Sequence, residues 1–290
     1  MSTNLPEVER LSPMELPLPA RGFDASTYGQ SFADVYDDWY PAELSTHAAV
    51  RRLNSLSLQA LQNSATAVSG PATGPRTASR ARLLELGIGT GRLALPLAEA
   101  GFEVHGMDSS GAMLELLRVK PRAAEIALTL GDVADPAAWP HGPFDLVVAA
   151  FNLLFNLSEE GEQASLFHSA AQALAPNGLL VVEAFIPAPL ELNERRLSVK
   201  EVSAHAVVLI ATDATASTGE VTGQHIELRD GEPVRLRPWR IRVATPTQLD
   251  ELASAAGLEL QERHSDWSGT AFDPQGAAHV SVYRLTPSQA

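Results

Sequence analysis

The 290-residue chain reads as an α/β protein. It should hold a seven-stranded sheet with helices on both faces, an N-terminal helical segment, and an antiparallel β insertion after the fifth strand. Three observations predict this. The run from Leu83 to Asp108, LLELGIGTGRLALPLAEAGFEVHGMD, is an apolar strand, a glycine turn, a helix and a second strand that ends in an acid. Short, nearly all-apolar runs alternate with helical segments over 80–186, as in parallel sheets covered on both faces. Over 202–243 the pattern switches to two-residue alternation, with Asp230-Gly231 as a hairpin turn.

Residues 1–20 are rich in proline and acids and are expected to be a flexible tail. The helical segment and a linker should occupy 21–79. Within SFADVYDDWY, Phe32, Val35, Tyr36, Trp39 and Tyr40 recur at helical spacing and would share one aromatic face. A second helix fits 45–61, and the Ser/Ala/Gly/Pro-rich 63–79 reads as linker. The core should span 80–186, with strands at 82–86, 103–107, 126–130, 146–150 and 179–185. Its best helix is 159–174, with Asn177-Gly178 as the stop. The antiparallel insertion is placed at 187–246. The C-terminal part of the core, 247–290, should supply a helix at 247–256 and strands at 258–263 and 280–285.

Composition narrows the function. The formal net charge is -14, from 35 acids against 21 bases. Such a surface repels phosphate backbones, and no Lys/Arg cluster offsets it, so no nucleic-acid partner is expected. The chain has no cysteine, which removes disulfides, cysteine-zinc sites and a thiolate nucleophile. No histidine spacing matches a metal motif, and no metal is expected. The first residues lack a basic stretch followed by an apolar run, and no long apolar segment occurs. The expectation is a soluble cytoplasmic protein with no membrane partner; a homodimer is compatible with it.

Glu85, Gly87, Gly89 and Gly91 form an acid-x-Gly-x-Gly-x-Gly pattern. Glycines there let the backbone turn sharply and approach a bound nucleoside. Asp108 falls where a carboxylate can hold the two ribose hydroxyls. A dinucleotide fingerprint requires glycine at the position of Arg92, so NAD and FAD fit poorly. No Gly-Lys-Ser/Thr follows, which excludes a P-loop.

With these residues the chain resembles the class I, Rossmann-like S-adenosylmethionine (SAM)-dependent methyltransferases, strongly over about 80–186 and more weakly over 245–286. The resemblance implies SAM as cofactor. It implies that Glu85 orients the loop, that Gly87 and Gly89 pass beside the methionine and adenosine portions, and that Gly91, Arg92 and Ser109 border the same site. Gly131, Asp132 and Val133 look like the adenine-binding segment, with Met113 lining the ring face. Phe151, Asn152 and Phe155 follow the fourth strand, where related enzymes bring cofactor and acceptor together. Tyr36, Trp39 and Tyr40 resemble the lid of small-molecule methyltransferases such as sugar N,N-dimethyltransferases, and aromatic faces suit a cationic sulfonium.

His225, Glu183 and Asn152 are the candidates for catalytic groups, with His205 and His225 on the substrate side. Bland readings stand beside these. Asp108 could begin a helix, Asp132 could cap a turn, Asn152 could form one, Met113 could be core, and a single histidine is commonly a hydrogen-bonded surface residue. The expected reaction is methyl transfer to an N or O atom of a small-molecule acceptor of specialised metabolism. A modified peptide or a carboxylate is the alternative acceptor. A catalytically silent SAM-binding protein is the alternative from another class, and a nicotinamide oxidoreductase is disfavoured by Arg92.

Overall fold

The computed structural model describes residues 23–41, 44–67, 80–188 and 194–286. The expected tail at 1–20 and the linker residues 68–79 lie outside the described residues. In chain order come helices Thr27–Phe32 (α1), Tyr36–Trp39 (α2) and Leu44–Ala67 (α3), then strand Arg82–Leu86 (β1), helix Ala94–Glu99 (α4), strand Glu103–Asp108 (β2) and helix Gly111–Arg118 (α5). Ala127–Leu130 (β3), Phe144–Ala149 (β4), helices Leu153–Asn156 (α6) and Glu162–Ala173 (α7), and Leu174–Phe185 (β5) complete the first half of the core. The insertion is Glu194–Val202 (β6), Ala206–Thr215 (β7), Glu220–Arg229 (β8) and Arg235–Arg242 (β9). Helix Pro246–Ala255 (α8) and strands Leu258–His264 (β10) and Ala278–Leu285 (β11) return to the core.

The main sheet has seven strands in the order β10-β11-β5-β4-β1-β2-β3. Strands β1 to β5 pair in parallel, and β11 runs antiparallel between β5 and β10. Alternation sorts its side chains between two cores. Leu83, Leu146, Val148, Leu179 and Val181 pack with Leu53, Leu97 and Leu114 on one face. Leu84, Val147, Leu180 and Val182 pack with Leu166, Phe167 and Leu249 on the other. Every residue of β4 is buried, because helices cover both faces. The seven-stranded Rossmann-like expectation is met, and so is the extra antiparallel sheet, four strands in the order β6-β7-β8-β9. Among the described residues no helix is long and apolar enough to cross a membrane.

Three local expectations are corrected. The aromatic segment is not one helix. The chain turns at Ala33–Val35, with Val35 N–H donating to Phe32 O at 3.0 Å, and α2 starts afresh at Tyr36. The break lets Phe32 and Val35 bury against Met113 while Tyr36 and Tyr40 reach a cavity. Helix α3 runs on to Ala67, since Asn63–Ala67 contains neither glycine nor proline to stop it. Asn177-Gly178 does not end α7, which stops at Ala173. Both residues lie inside β5, where Asn177 has φ 66° and the register against β4 shifts. A Cβ on Gly178 would stand 2.8 Å from Phe144 O, so a close backbone approach, and not a helix stop, explains this glycine.

Candidate functional site

The site lies at the carboxyl ends of β1, β2 and β4, beside the strand-order reversal at which open α/β sheets bind ligands. A cavity of about 410 Å³ opens there, within the range that holds a drug-sized ligand. The glycine loop forms one wall. Gly87, Gly89 and Gly91 have φ of 61°, 55° and 84°, a region costly for residues that carry a Cβ. Gly87 and Gly89 line the cavity, and a Cβ on Gly89 would meet nothing closer than Gly87 O at 3.9 Å. Gly91 lies outside the lining. A Cβ there would stand 2.4 Å from Leu117 Cδ1, so this third glycine serves the packing of the loop on α5, a correction to its expected place at the cofactor.

Asp108 ends β2 and is 9% exposed. Its Oδ2 accepts from Gly89 N–H and its Oδ1 from Ser110 N–H, both at 2.8 Å. Each oxygen keeps lone-pair capacity for a further donor. The same carboxylate thus shapes the loop and faces the cavity, while burial raises its pKa. Ser110 caps α5, accepting from Met113 N–H, and Met113 lines the cavity wall. Asp132, Val133 and Ser109 line it too, whereas Gly131 packs under Ala138 outside the lining.

Glu85 is buried behind the loop, and its Oε2 has no hydrogen-bond partner. Burial lifts its pKa to about 8, with the Arg92 charge opposing and Asp108 adding to the rise. Glu85 itself stands outside the cavity lining, two residues from Gly87 that lines it, and its unpartnered buried oxygen fits a cationic ligand group such as an amino acid's ammonium. Arg92 stands off the cavity lining, its guanidinium 4.4 Å from the Phe151 ring and 3.3 Å from Thr46 Oγ1.

The lid and the insertion form the opposite wall. Tyr28, Tyr36 and Tyr40 line it, with Tyr40 edge-on to Phe151 at 5.4 Å. Burial pushes the Tyr36 hydroxyl up to about 12. Trp39 does not line the cavity and is corrected as a substrate contact. It packs one layer back, 5.6 Å from the His225 ring, under the cations of Lys200 and Arg237. His225 does line the cavity. Its Nδ1 accepts from the Trp239 indole N–H at 3.0 Å, and burial, together with Lys200 and Arg237, lowers its pKa to about 4. The neutral ring therefore carries its proton on Nε2 and is a donor in this arrangement.

His205 and Glu183 are also corrected. His205 is an exposed residue of the β6–β7 turn, paired with Asp230 at 3.2 Å on the neighbouring turn, and lies outside the cavity lining. Glu183 Oε2 accepts from Phe151 N–H at 2.8 Å and Oε1 from Trp267 Nε1–H at 2.7 Å, so the carboxylate braces two neighbours, and Glu183 does not line the cavity. Asn152 lines the cavity, but its Oδ1 is held by Phe185 N–H at 2.7 Å. Glu183 and Asn152 together fix a loop in which Phe151 and Asn152 have φ of 53° and 63°. Phe155 lines the floor against Phe185.

Sequence reasoning missed Tyr28, Trp239, Arg240, Glu159 and Glu162 of the lining. A glycine inside a strand held one clue. A Cβ on Gly223 would stand 2.0 Å from the ring of Trp239, its cross-strand partner, and such a glycine marks the close approach of a large group.

Fold and site together define a nucleoside-cofactor enzyme of the α/β class, with its ligand at the glycine loop. A family model described as a methyltransferase domain matches residues 83–178. The CcbJ methyltransferase from Streptomyces caelestis is 35% identical, over 91% of this chain and 100% of that one, with a TM-score of 0.77. The chain belongs to the SAM-dependent methyltransferases, and SAM is its cofactor. Two curated relatives match over shorter stretches. The cypemycin N-terminal methyltransferase of a Streptomyces species is 31% identical over 109 residues, 38% of this chain and 44% of that protein. The putative methyltransferase YqeM of Bacillus subtilis is 33% identical over 104 residues, 36% and 42% of the two chains. The chain thus spans less than half the length of these relatives.

Proposed function

We propose that the protein transfers the methyl group of SAM to a nitrogen or oxygen atom of a small-molecule acceptor of specialised metabolism. The observation that carries this is one cavity with two unlike walls. On the first, Gly87, Gly89, Asp108, Met113 and Asp132 offer backbone, carboxylates and an apolar face to a nucleoside. On the second, Tyr40, Phe151, Phe185, Trp239, Arg240 and Glu162 offer aromatic faces and both charge signs to an acceptor. The relative named as an N-terminal methyltransferase supports a nitrogen acceptor.

SAM supplies a methyl group already activated on a sulfonium. The chain's work is then alignment, which alone can reach effective molarities of about 10⁵–10⁸ M. Asp108 and Asp132 hold the nucleoside end, Glu85 faces the ammonium, and the tyrosines of the lid keep water from the transfer axis. His225 donates from Nε2 to an acceptor oxygen or to a carbonyl beside the nucleophile.

Calorimetry with SAM, S-adenosylhomocysteine and NAD is expected to show binding of the first two alone. Transfer of labelled methyl from SAM to a panel of amines and alcohols should then follow. Binding without transfer to any acceptor would support the silent SAM-binding reading instead. Asp108→Ala should lower SAM affinity at least about tenfold, a loss of roughly 1.4 kcal/mol. An unchanged affinity would remove Asp108 from the ribose.

A further inference from the structure

Residues 24–40 cover the cavity and are tied down at three places. Ser109 Oγ–H donates to Ala25 O at 2.6 Å, beside the nucleoside end. Asp34 receives Arg237 and Arg235 from the insertion. The third tie reaches the glycine loop itself. Asp37 Oδ1 accepts from Thr90 Oγ1–H at 2.6 Å, Asp37 Oδ2 meets Lys120 Nζ at 2.6 Å, and the same Nζ donates to Thr90 O at 2.9 Å.

Thr90 is fully buried between Gly89 and Gly91, the two glycines with positive φ on either side of it. Any shift of the loop that accommodates a ligand at Gly89 therefore moves both Thr90 groups that the tie uses. Asp37 directly follows Tyr36, whose ring lines the cavity, and α2 leads into Tyr40. The side chains of Asp37 and Lys120 are 51% and 27% exposed, so solvent screens their attraction and it adds little to the stability of the fold. What the triangle fixes is the distance between lid and loop.

We propose that Asp37 is a positioning residue: by bridging Thr90 and Lys120 it latches the lid over bound donor and couples the shape of the glycine loop to lid closure. The inference rests on the SAM reading of the site. A ligand at the loop is covered by Tyr28, Tyr36 and Tyr40, and it leaves when this catch opens.

The test is the dissociation rate of S-adenosylhomocysteine, followed by stopped-flow tryptophan fluorescence on the full chain, with KM for SAM and kcat measured beside it. In Asp37→Ala the off-rate and KM should rise about tenfold, as for a charge-assisted hydrogen bond lost at a half-exposed site, with kcat not reduced. Lys120→Met should shift both the same way by a smaller factor, and Lys120→Arg should stay near wild type. Asp38→Ala, on the same helix but outside the triangle, should leave all three constants unchanged. The ligand-free melting temperatures of all variants should agree. High salt should speed release from wild type and barely change it in Asp37→Ala. An Asp37→Ala off-rate equal to wild type, or a change confined to melting temperature, overturns the latch. Absence of SAM binding to wild-type protein would overturn the cofactor reading along with it, so the two failures are told apart.

Discussion

The two sheets of this molecule are held by different forces. In the main sheet every residue of β4 and four of five in β1 are buried, and alternate side chains feed two apolar cores. In the insertion, eight of nine residues of β6 are exposed, and Leu197, Val199 and Leu236 are 67%, 61% and 61% open to water. The inner face of that sheet carries Glu227, Arg237 and His225 at 2%, 4% and 7% exposure. The main sheet is thus fixed by apolar burial and shapes the cofactor wall through backbone geometry. The insertion is fixed to the lid through buried Arg237, whose lid partner Asp34 is half exposed, and by packing of Trp239 with Phe32, and it shapes the acceptor wall. Cofactor recognition should therefore withstand damage to the insertion, and acceptor recognition should not.

Breaking that contrast most severely is Arg237→Met. Arg237 Nη2 lies 2.9 Å from Glu227 Oε2, its Nη1 pairs with Asp34, and it holds the carbonyl of Ser31. Removing Arg237 leaves buried Glu227 with the half-exposed Arg229 as its remaining cation, so the cost should approach the about 3–5 kcal/mol typical of a broken buried pair without exceeding it. The expected outcome is a large loss of melting temperature with lid and insertion loosened together, and recovery of most of it in Arg237→Met with Glu227→Leu. In the double variant, which still lacks the Asp34 tie, calorimetry should show SAM affinity falling by far less than the factor by which turnover assays show KM for acceptor rising. Equal damage to both affinities would show that the two walls are not independent.

The contrast also explains what could be read in advance. The strands read at 82–86 and 103–107 and the glycine loop were legible because their causes are local: apolar runs, three glycines, an acid at a fixed offset. The insertion's alternation and its Asp230-Gly231 turn were legible for the same reason. Asn177-Gly178 misled because the signal of a helix stop is also that of a strand pressed against a neighbouring carbonyl. Phe32 to Tyr40 misled because spacing cannot show that Val35 turns away from Tyr36. Glu183 looked like a base until its partner, Trp267, came into contact from 84 residues away. The Asp34–Arg237 tie spans 203 residues, and no local pattern announces it.

A sharper probe of the cofactor wall is the proton on Glu85. Its folded pKa of about 8 lies above the 4.5 of an ordinary glutamate, so it is neutral at pH 7 in the free protein. An ammonium beside it favours the ionised form, and SAM binding should release up to one proton. Affinity should climb with pH up to about 8, by at most about tenfold per pH unit, and then level. Calorimetry in buffers of different ionisation heat counts the proton. Glu85→Gln should flatten the profile. It should also stabilise the free protein at high pH. A raised carboxyl contributes stability below pH 4.5 that is lost as pH rises towards 8, because the unfolded chain ionises first. A steep profile that survives in Glu85→Gln would move the titrating group elsewhere.

The smallest effect is expected at His225, on the acceptor wall. With its pKa lowered to about 4 and Nδ1 engaged by Trp239, it is neutral and donating throughout the working range. The rate profile should therefore show no limb near pH 6.5. His225→Gln, which keeps a donor, should cost less than about tenfold in kcat, whereas a working general base is worth about 10²–10⁴-fold. Stability carries the opposite sign from Glu85. A depressed histidine contributes fully above the unfolded value of 6.5 and loses that contribution as pH falls towards 4, and buried His279, also near 4, behaves alike. His225→Gln should thus blunt acid unfolding below pH 6.5 while barely touching turnover. A kcat loss of several hundredfold with a new pH limb would instead make His225 the group that takes the acceptor's proton.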